Sequence, residues 1–222
     1  MSQKMGHSVI VCFRGIMLKD LFALELPYVD TQTLRSILHD SRKPRAIISR
    51  LVRQGELIRL KNGFYLIRSK IEKSRIPVEQ IANIFYGPSY VSLEYAMAFY
   101  GMIPEGVFTC TSVTLNKVKH FYNDIQNLSY YHLSPDRYEV GISHKRNEYG
   151  GYMIATPEKA LADHVFRLCQ GLNKKELFID LTESKRIELS TLQNLDKILM
   201  QQIANSYHSK IIKILSEVLI EL

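Results

Sequence analysis

The sequence predicts an α+β protein of two domains, and three observations carry that prediction. Asp40 to Ile67 reads as an arginine-studded helical pattern followed by two short apolar runs joined across Lys61-Asn62-Gly63. Lys and Arg outnumber Asp and Glu by 15 to 6 over residues 1–76 but stand at 14 to 16 over residues 77–222, so the net charge of +7 arises entirely in the first third. Beyond Pro77, helical patterns alternate with short β-type runs and then give way to helix alone. The order in the first segment describes a winged helix-turn-helix over residues 1–70, including an N-terminal extension. Residues 77–222 are expected to form a mixed helix and antiparallel-sheet domain with a helical C-terminal tail.

In the first domain, Met17, Leu21 and Phe22 recur at helical spacing, as do Leu34, Ile37 and Leu38. A third helix follows, with Ser41 as its expected N-cap and Pro44 in the first turn, where a missing N–H breaks no intrahelical bond. Ile47, Ile48, Leu51 and Val52 share one face of this helix, while Arg42, Arg45, Ser49, Arg50 and Arg53 fan across the other. Gly55, free to take positive φ, stops it. Asn62-Gly63 is the preferred pair for a two-residue type I′ hairpin turn. That turn would set Leu60 against Tyr65 and Ile58 against Ile67 on one sheet face, with Arg59 and Lys61 on the other.

A third helix of this kind enters the DNA major groove with its N-terminal residues nearest the bases, and the wing reaches an adjacent backbone or minor groove. Arg42, Arg45, Ser49 and Arg50 are therefore the expected reading residues, since arginine forks onto guanine edges and phosphates alike. Arg53, one turn further on, is assigned to phosphate. Lys61 and Asn62 are the wing-tip backbone contacts.

The charged stretch Arg68 to Pro77 marks the domain boundary. Pro77 to Phe85 and Ser89 to Tyr100 read as helices broken at Gly87-Pro88. Val107 to Thr111, Val118 to Tyr122, Leu128 to Leu133, Tyr138 to Ser143 and Tyr152 to Ala155 read as strands of an antiparallel sheet. Thr156-Pro157-Glu158 opens a helix to Leu168, with Ala160, Leu161 and Val165 inward and Glu158, Lys159 and Asp163 as first-turn charges and a solvent face. Helical stripes follow at Leu192, Leu195 and Leu199 and at Ile211, Leu215, Val218 and Leu222.

Other function classes find little support. At 46% hydrophobic and 23% charged, the chain can build packed cores. Cys12, Cys110 and Cys169 form no CxxC and no disulfide framework, which fits a reducing cytoplasm. The apolar run Val9 to Phe13 is too short for a membrane span or a signal peptide, so no membrane partner is expected. The seven histidines show no HxH, HExxH or HxxxH spacing, and GxGxxG, GxxxxGK[ST] and GxSxG are all missing. No catalytic residue, metal or cofactor is assigned, and a nuclease-like enzyme built on Glu158, Lys159 and Asp163 is the third reading, behind a winged-helix module for protein or RNA.

SRLVRQGELIRLKNGFYL, GPSYVSLEYAMAFYGMIPE and TPEKALADHVF, in that order and spacing, resemble the AbiEi-type antitoxins of type IV toxin-antitoxin systems, over Leu34 to Phe166. Met1 to Gly15 and the tail beyond Gly171 lie outside the resemblance. It implies a bacterial transcriptional repressor and antitoxin that binds inverted repeats of double-stranded operator DNA in its own promoter; because one winged helix covers a short site, two copies, a homodimer on DNA, are expected, formed either in solution or only on the DNA. The implied functional partner is a neighbouring nucleotidyltransferase-like toxin, countered without a stable complex. By the same resemblance, DNA contact carries to Arg42, Arg45, Ser49, Arg50 and the Lys61-Asn62 turn.

Overall fold

The computed structural model describes residues 21, 23–24, 26–39, 41–74, 77–122 and 127–222, without the side chains of 72–74. The chain divides into two compact units, Met1–Ile76 and Pro77–Leu222, and both mix helix with strand. The expected helix over Met17, Leu21 and Phe22 falls mostly outside the described residues, as do the run Val9 to Phe13 and the extension 1–15; Leu21 itself is helical and buried. Among the described residues, no helix is long and apolar enough to cross a membrane.

In the first unit, β1 (Tyr28–Asp30) passes straight into α1 (Thr31–Ile37) because Asp30 caps that helix, accepting the Thr33 amide at 2.7 Å. There follow α2 (Pro44–Arg53), β2 (Leu57–Lys61), β3 (Phe64–Ile67) and α3 (Arg68–Ser74). The strands form an antiparallel sheet in the order β1-β3-β2. Val29, Leu57, Tyr65 and Ile67 of the sheet meet Leu34 and Leu38 of the α1 end and Ile48 and Leu51 of α2, with Ile47 and Val52 partly buried beside them. The apolar stripe of α2 therefore faces the core, as its periodicity predicts. Gly55, at φ +75°, ends α2 in a Schellman motif: the Glu56 amide donates to Leu51 O and the Gly55 amide to Val52 O.

The hairpin departs from the expected register. Leu57 pairs with Ile67, Ile58 with Leu66, Arg59 with Tyr65 and Lys61 with Phe64, and Leu60 sits in a bulge between Arg59 and Lys61. Asn62 does not take positive φ; Gly63 alone does, at +82°, so the turn is not type I′. The core explains the choice. A one-residue slip moves a strand's whole apolar set to the other face, and this register sends Leu57, not Ile58 and Leu60, inward beside Tyr65 and Ile67.

The second unit is built on a six-stranded sheet in the order β6-β7-β5-β4-β9-β8. Its strands are β4 (Ser89–Val91), β5 (Thr109–Thr114), β6 (Lys119–Phe121), β7 (Asn127–His132), β8 (Ile142–Lys145) and β9 (Tyr152–Ala155). The sheet is mixed, which corrects the antiparallel expectation: β5 runs parallel to β7, and β4 runs parallel to β9. β6 reaches the edge before β7 returns beside β5, so β5 and β7, like β4 and β9, are neighbours in space but not in sequence. Ser89–Val91 is a buried central strand and not the start of a helix. The helices are α4 (Val78–Phe85), α5 (Leu93–Phe99), the short α6 (Pro135–Tyr138), α7 (Pro157–Leu168), α8 (Lys174–Ile179), continued by a π-turn over Asp180–Ser184, α9 (Leu189–Gln193), α10 (Lys197–Tyr207) and α11 (Lys210–Glu221). The leucine stripe at 192, 195 and 199 is interrupted, because the Asp196 carboxylate caps α10 by accepting the Ile198 and Leu199 amides, each at 2.9 Å.

α7 starts as its sequence predicts, with Thr156 Oγ1 accepting the Lys159 amide. It packs on α5, α10, α11 and β9. Its charges do not face solvent. Glu158, Lys159 and Asp163 are all buried. Lys159 Nζ donates to Tyr207 Oη at 2.9 Å and to the Arg137 carbonyl, and lies 3.5 Å from Asp163 Oδ1. Asp163 accepts from Tyr90 Oη at 3.0 Å, from Ser92 Oγ at 2.6 Å and from Tyr207 Oη. Burial draws the Lys159 pKa down, against the pull of Asp163. Glu158 accepts the Asp196 amide at 2.8 Å, which joins α7 to the start of α10.

Replacing Asp163 by Ala strands a buried ammonium, so Asp163→Ala should destabilise the unit by about 3 to 5 kcal/mol in urea denaturation, while the apolar pair Lys159→Met with Asp163→Leu should restore much of that loss. Unchanged stability of the single variant would show that the network carries little weight. A pH effect follows from Glu94, whose Oε1 lies 3.3 Å from Nδ1 of the buried His164. Burial alone would raise this carboxyl; the His164 ring, the Glu94 amide and Arg167 outweigh it and hold the pKa at about 2, below the ordinary 4.5. The folded pKa lies below the unfolded one, so the stabilisation is complete above the unfolded value and fades as pH falls toward the folded one. After allowance for solvent screening, wild type should lose about 2 kcal/mol through this group across that acid window, and Glu94→Gln should lack this component.

Candidate nucleic-acid interface

α2 cannot spend all its residues on the core, and the remainder define its outer face. Arg45, Ser49 and Arg53 follow one another at four-residue steps along an exposed line, Ala46 lies exposed beside them, and Arg50 is half-buried on the flank. Among the described residues none of Arg42, Arg45, Arg50 and Arg53 is matched to a carboxylate. A small side chain between arginines lets a helix approach a flat or grooved polyanion closely.

The N-terminus of α2 adds its own charge. Lys43 is the N-cap, without a side-chain hydrogen bond, and Pro44 is N1. This corrects the assignment of Ser41, whose hydroxyl instead accepts the Lys43 amide at 3.2 Å one step before the helix. Pro44 fixes where the helix begins, so a cap three residues earlier is out of reach. The positive end of the helix dipole lies at a surface cavity of about 460 Å³ lined by Arg35, Arg42, Lys43, Pro44, Arg45 and Ala46. No acidic residue occupies that first turn.

Arg35 is the residue that sequence reasoning missed. It sits exposed in the last turn of α1, which packs against α2, so the turn between the helices brings it to the cavity with Arg42, Lys43 and Arg45. The available signal is its position one residue after the buried Leu34, which places it off the core stripe near the end of α1.

The hairpin tip is anchored. The Thr31 amide donates to Gly63 O at 2.8 Å, tying the turn to the first residue of α1. Arg59 donates to Asn62 Oδ1, so the Asn62 amide group is braced from its own strand. Lys61 is exposed with its Nζ 5.6 Å from the Phe64 ring centroid, and Phe64 stacks on Tyr28 at 5.5 Å. The bulge at Leu60 thus puts Arg59 and Lys61 on opposite faces, where the unbulged register would have set them together. At the base of the hairpin, Arg68 Nε donates to Gly55 O at 2.7 Å, joining the end of β3 to the end of α2. The arginine line and the tip are two parts of one braced body.

Among the described residues, no group of three or more His, Cys, Asp or Glu side chains gathers at metal-binding distance. No protein-family model and no curated protein matches the chain.

Gly63 is the position where backbone conformation limits the tip. A Cβ there would meet Thr31 Oγ1 at 3.3 Å on a backbone with φ +82°. Gly63→Ala should therefore lower the stability of the first unit by about 1 to 2 kcal/mol in thermal denaturation. An unaltered melting curve would mean that the turn relaxes freely.

Proposed function

We propose that the first unit is a winged helix-turn-helix that reads double-stranded operator DNA, with α2 in the major groove and the β2–β3 hairpin against the flanking backbone. The observation that carries this reading is the outer face of α2: an arginine line without matched carboxylates, continuous with the four-cation cavity at the helix N-terminus. A duplex presents both ligands such a face needs. Guanine edges accept from arginine forks, and phosphates suit helix N-termini and cations. Arg42, Arg45, Ser49 and Arg50 take the base-reading roles, and Arg35, Lys43, Arg53 and Lys61 take phosphate. Asn62, bound to Arg59, shapes the tip and offers its remaining amide donor to the backbone.

We further propose that the protein is an autoregulating repressor and the antitoxin of a type IV toxin-antitoxin system, countering a nucleotidyltransferase-like toxin. Support for this part is the ordered set of motifs that resembles AbiEi-type antitoxins, spanning both units. One such α2 covers a short site, so two copies on an inverted repeat supply the specificity.

Binding of the full chain to its own promoter fragment, compared with scrambled DNA across salt concentrations, tests the operator reading. Arg45→Ala or Arg50→Ala should weaken operator binding by about 1 to 3 kcal/mol and relax preference at one position. Lys61→Ala should weaken all sequences alike and lower the salt slope by about 1. Equal affinity for operator and scrambled DNA would sink the reading. Survival of cells expressing the adjacent toxin gene, with and without this chain, tests the antitoxin part separately.

A further inference from the structure

The edge of the second unit's sheet carries chemistry that duplex reading leaves unused. β6 is an edge strand, and continuing its alternation one residue each way places Val118, His120 and Tyr122 on one face. All three are exposed, Tyr122 at 78%. Tyr131 of β7 shares that face. The Arg167 guanidinium at the end of α7 lies 3.6 Å from the Tyr131 ring centroid, and the His120 ring meets Tyr131 at 5.6 Å and 68°. His120 Nδ1 and Ser129 Oγ share a hydrogen bond at 3.0 Å, which fixes the imidazole. Three exposed planar groups, from Tyr122, His120 and Arg167, therefore flank the half-buried Tyr131 at the sheet edge.

The stretch of chain that carries this edge is mostly basic. From residue 106 to 135 the only acidic residue is Asp124, which lies outside the described residues. Lys117 and Lys119 are exposed, and Lys119 Nζ lies 5.0 Å from the Tyr86 ring and 5.8 Å from Phe121, held at the edge by cation–π contact. Glu94, the carboxylate that Arg167 influences, is turned to His164. Edge lysines alone have a simpler explanation, since they discourage strand-on-strand aggregation. Exposed rings in the same stretch do not serve that purpose. An acidic peptide would use the cations and leave the flat groups idle. Planar side chains alternating with cations match single strands, whose splayed bases stack on aromatic rings and guanidinium planes while phosphates meet lysine.

We propose that the β6–β7 edge binds single-stranded nucleic acid, with Tyr122, His120, Tyr131 and Arg167 as the stacking surface and Lys117 and Lys119 on the backbone. This site is independent of the duplex face in the first unit. The test is fluorescence anisotropy of the full chain with short labelled oligo(U), oligo(dU) and an abasic strand of equal length. Base-bearing strands should bind more tightly than the abasic one, and the tighter of the two names the sugar. Tyr122→Ala and Arg167→Ala should each weaken binding about fivefold or more, Tyr122→Phe should retain it, and Arg45→Ala should leave it unchanged while weakening duplex binding. Absence of binding to either base-bearing strand would overturn the proposal. So would equal binding of the abasic strand, equal competition by polyglutamate, or a loss that follows Arg45→Ala and not Tyr122→Ala.

Discussion

A lysine and an aspartate one helical turn apart, both withdrawn from water, set the organisation of the larger unit. Lys159 and Asp163 are acceptable inside because both find polar partners: Tyr90 and Ser92 come from the central strand and the residue after it, the Arg137 carbonyl from α6, and Tyr207 from the end of α10. An unpaired charge in such a position would be removed by several kcal/mol of desolvation. The network therefore favours the arrangement of α7 in which these partners meet. Apolar contacts around Ala160, Leu161 and Val165 supply the general attraction, and the ionic network restricts which alignment satisfies it.

The smaller unit uses charge in the opposite way. Its core is apolar, and among the described residues Arg42, Arg45, Arg50 and Arg53 have no matched carboxylate to cancel their field. Position then depends on backbone devices. Pro44 starts α2, the Schellman motif at Gly55 ends it, and Arg68 ties that end to β3. The result is a rigid mount for arginine side chains that are themselves free to fork onto a partner. Long side chains lose less on binding when the helix beneath them is already fixed.

Legibility in the sequence follows how local each decision is. The two faces of α2, the stop at Gly55 and the cap at Thr156 depend on neighbours within a turn, and periodicity alone reveals them. The hairpin register does not, because Leu57 and Ile58 compete for one core position and the core in three dimensions decides. Strand direction in the second sheet is hidden for a related reason: β6 is inserted at the edge between the paired strands β5 and β7, and no local pattern encodes that order. Lys159 and Asp163 look like a wet face beside an early acid, although their four-residue spacing next to Ala160 and Leu161 is equally that of a buried pair. Arg35 joins the candidate site only when the turn between α1 and α2 is folded. Candidate positions on one helix are thus readable, and sites assembled from several elements are not.

These two treatments of charge separate structural from binding chemistry within one chain. A cation that is to hold the fold is enclosed with its counter-charge, as Lys159 is with Asp163, and contributes almost nothing to the field outside. A cation that is to meet a polyanion must lack an internal counter-charge, as among the described residues Arg45 and Arg53 do on α2 and Lys119, held over aromatic rings, does at the sheet edge. Counterion release rewards only the second kind, because an internally neutralised charge has no condensed counterion to displace from a nucleic acid. Part of the excess of +9 in residues 1–76, from 15 basic and 6 acidic residues, is therefore available outside on Arg42, Arg45 and Arg53. The near-balance of the larger unit, 14 against 16, conceals a local basic edge because part of its charge is enclosed and part lies far along the chain from β6. Net charge per unit points to the first surface and passes over the second; only the placement of each cation relative to its nearest carboxylate distinguishes them.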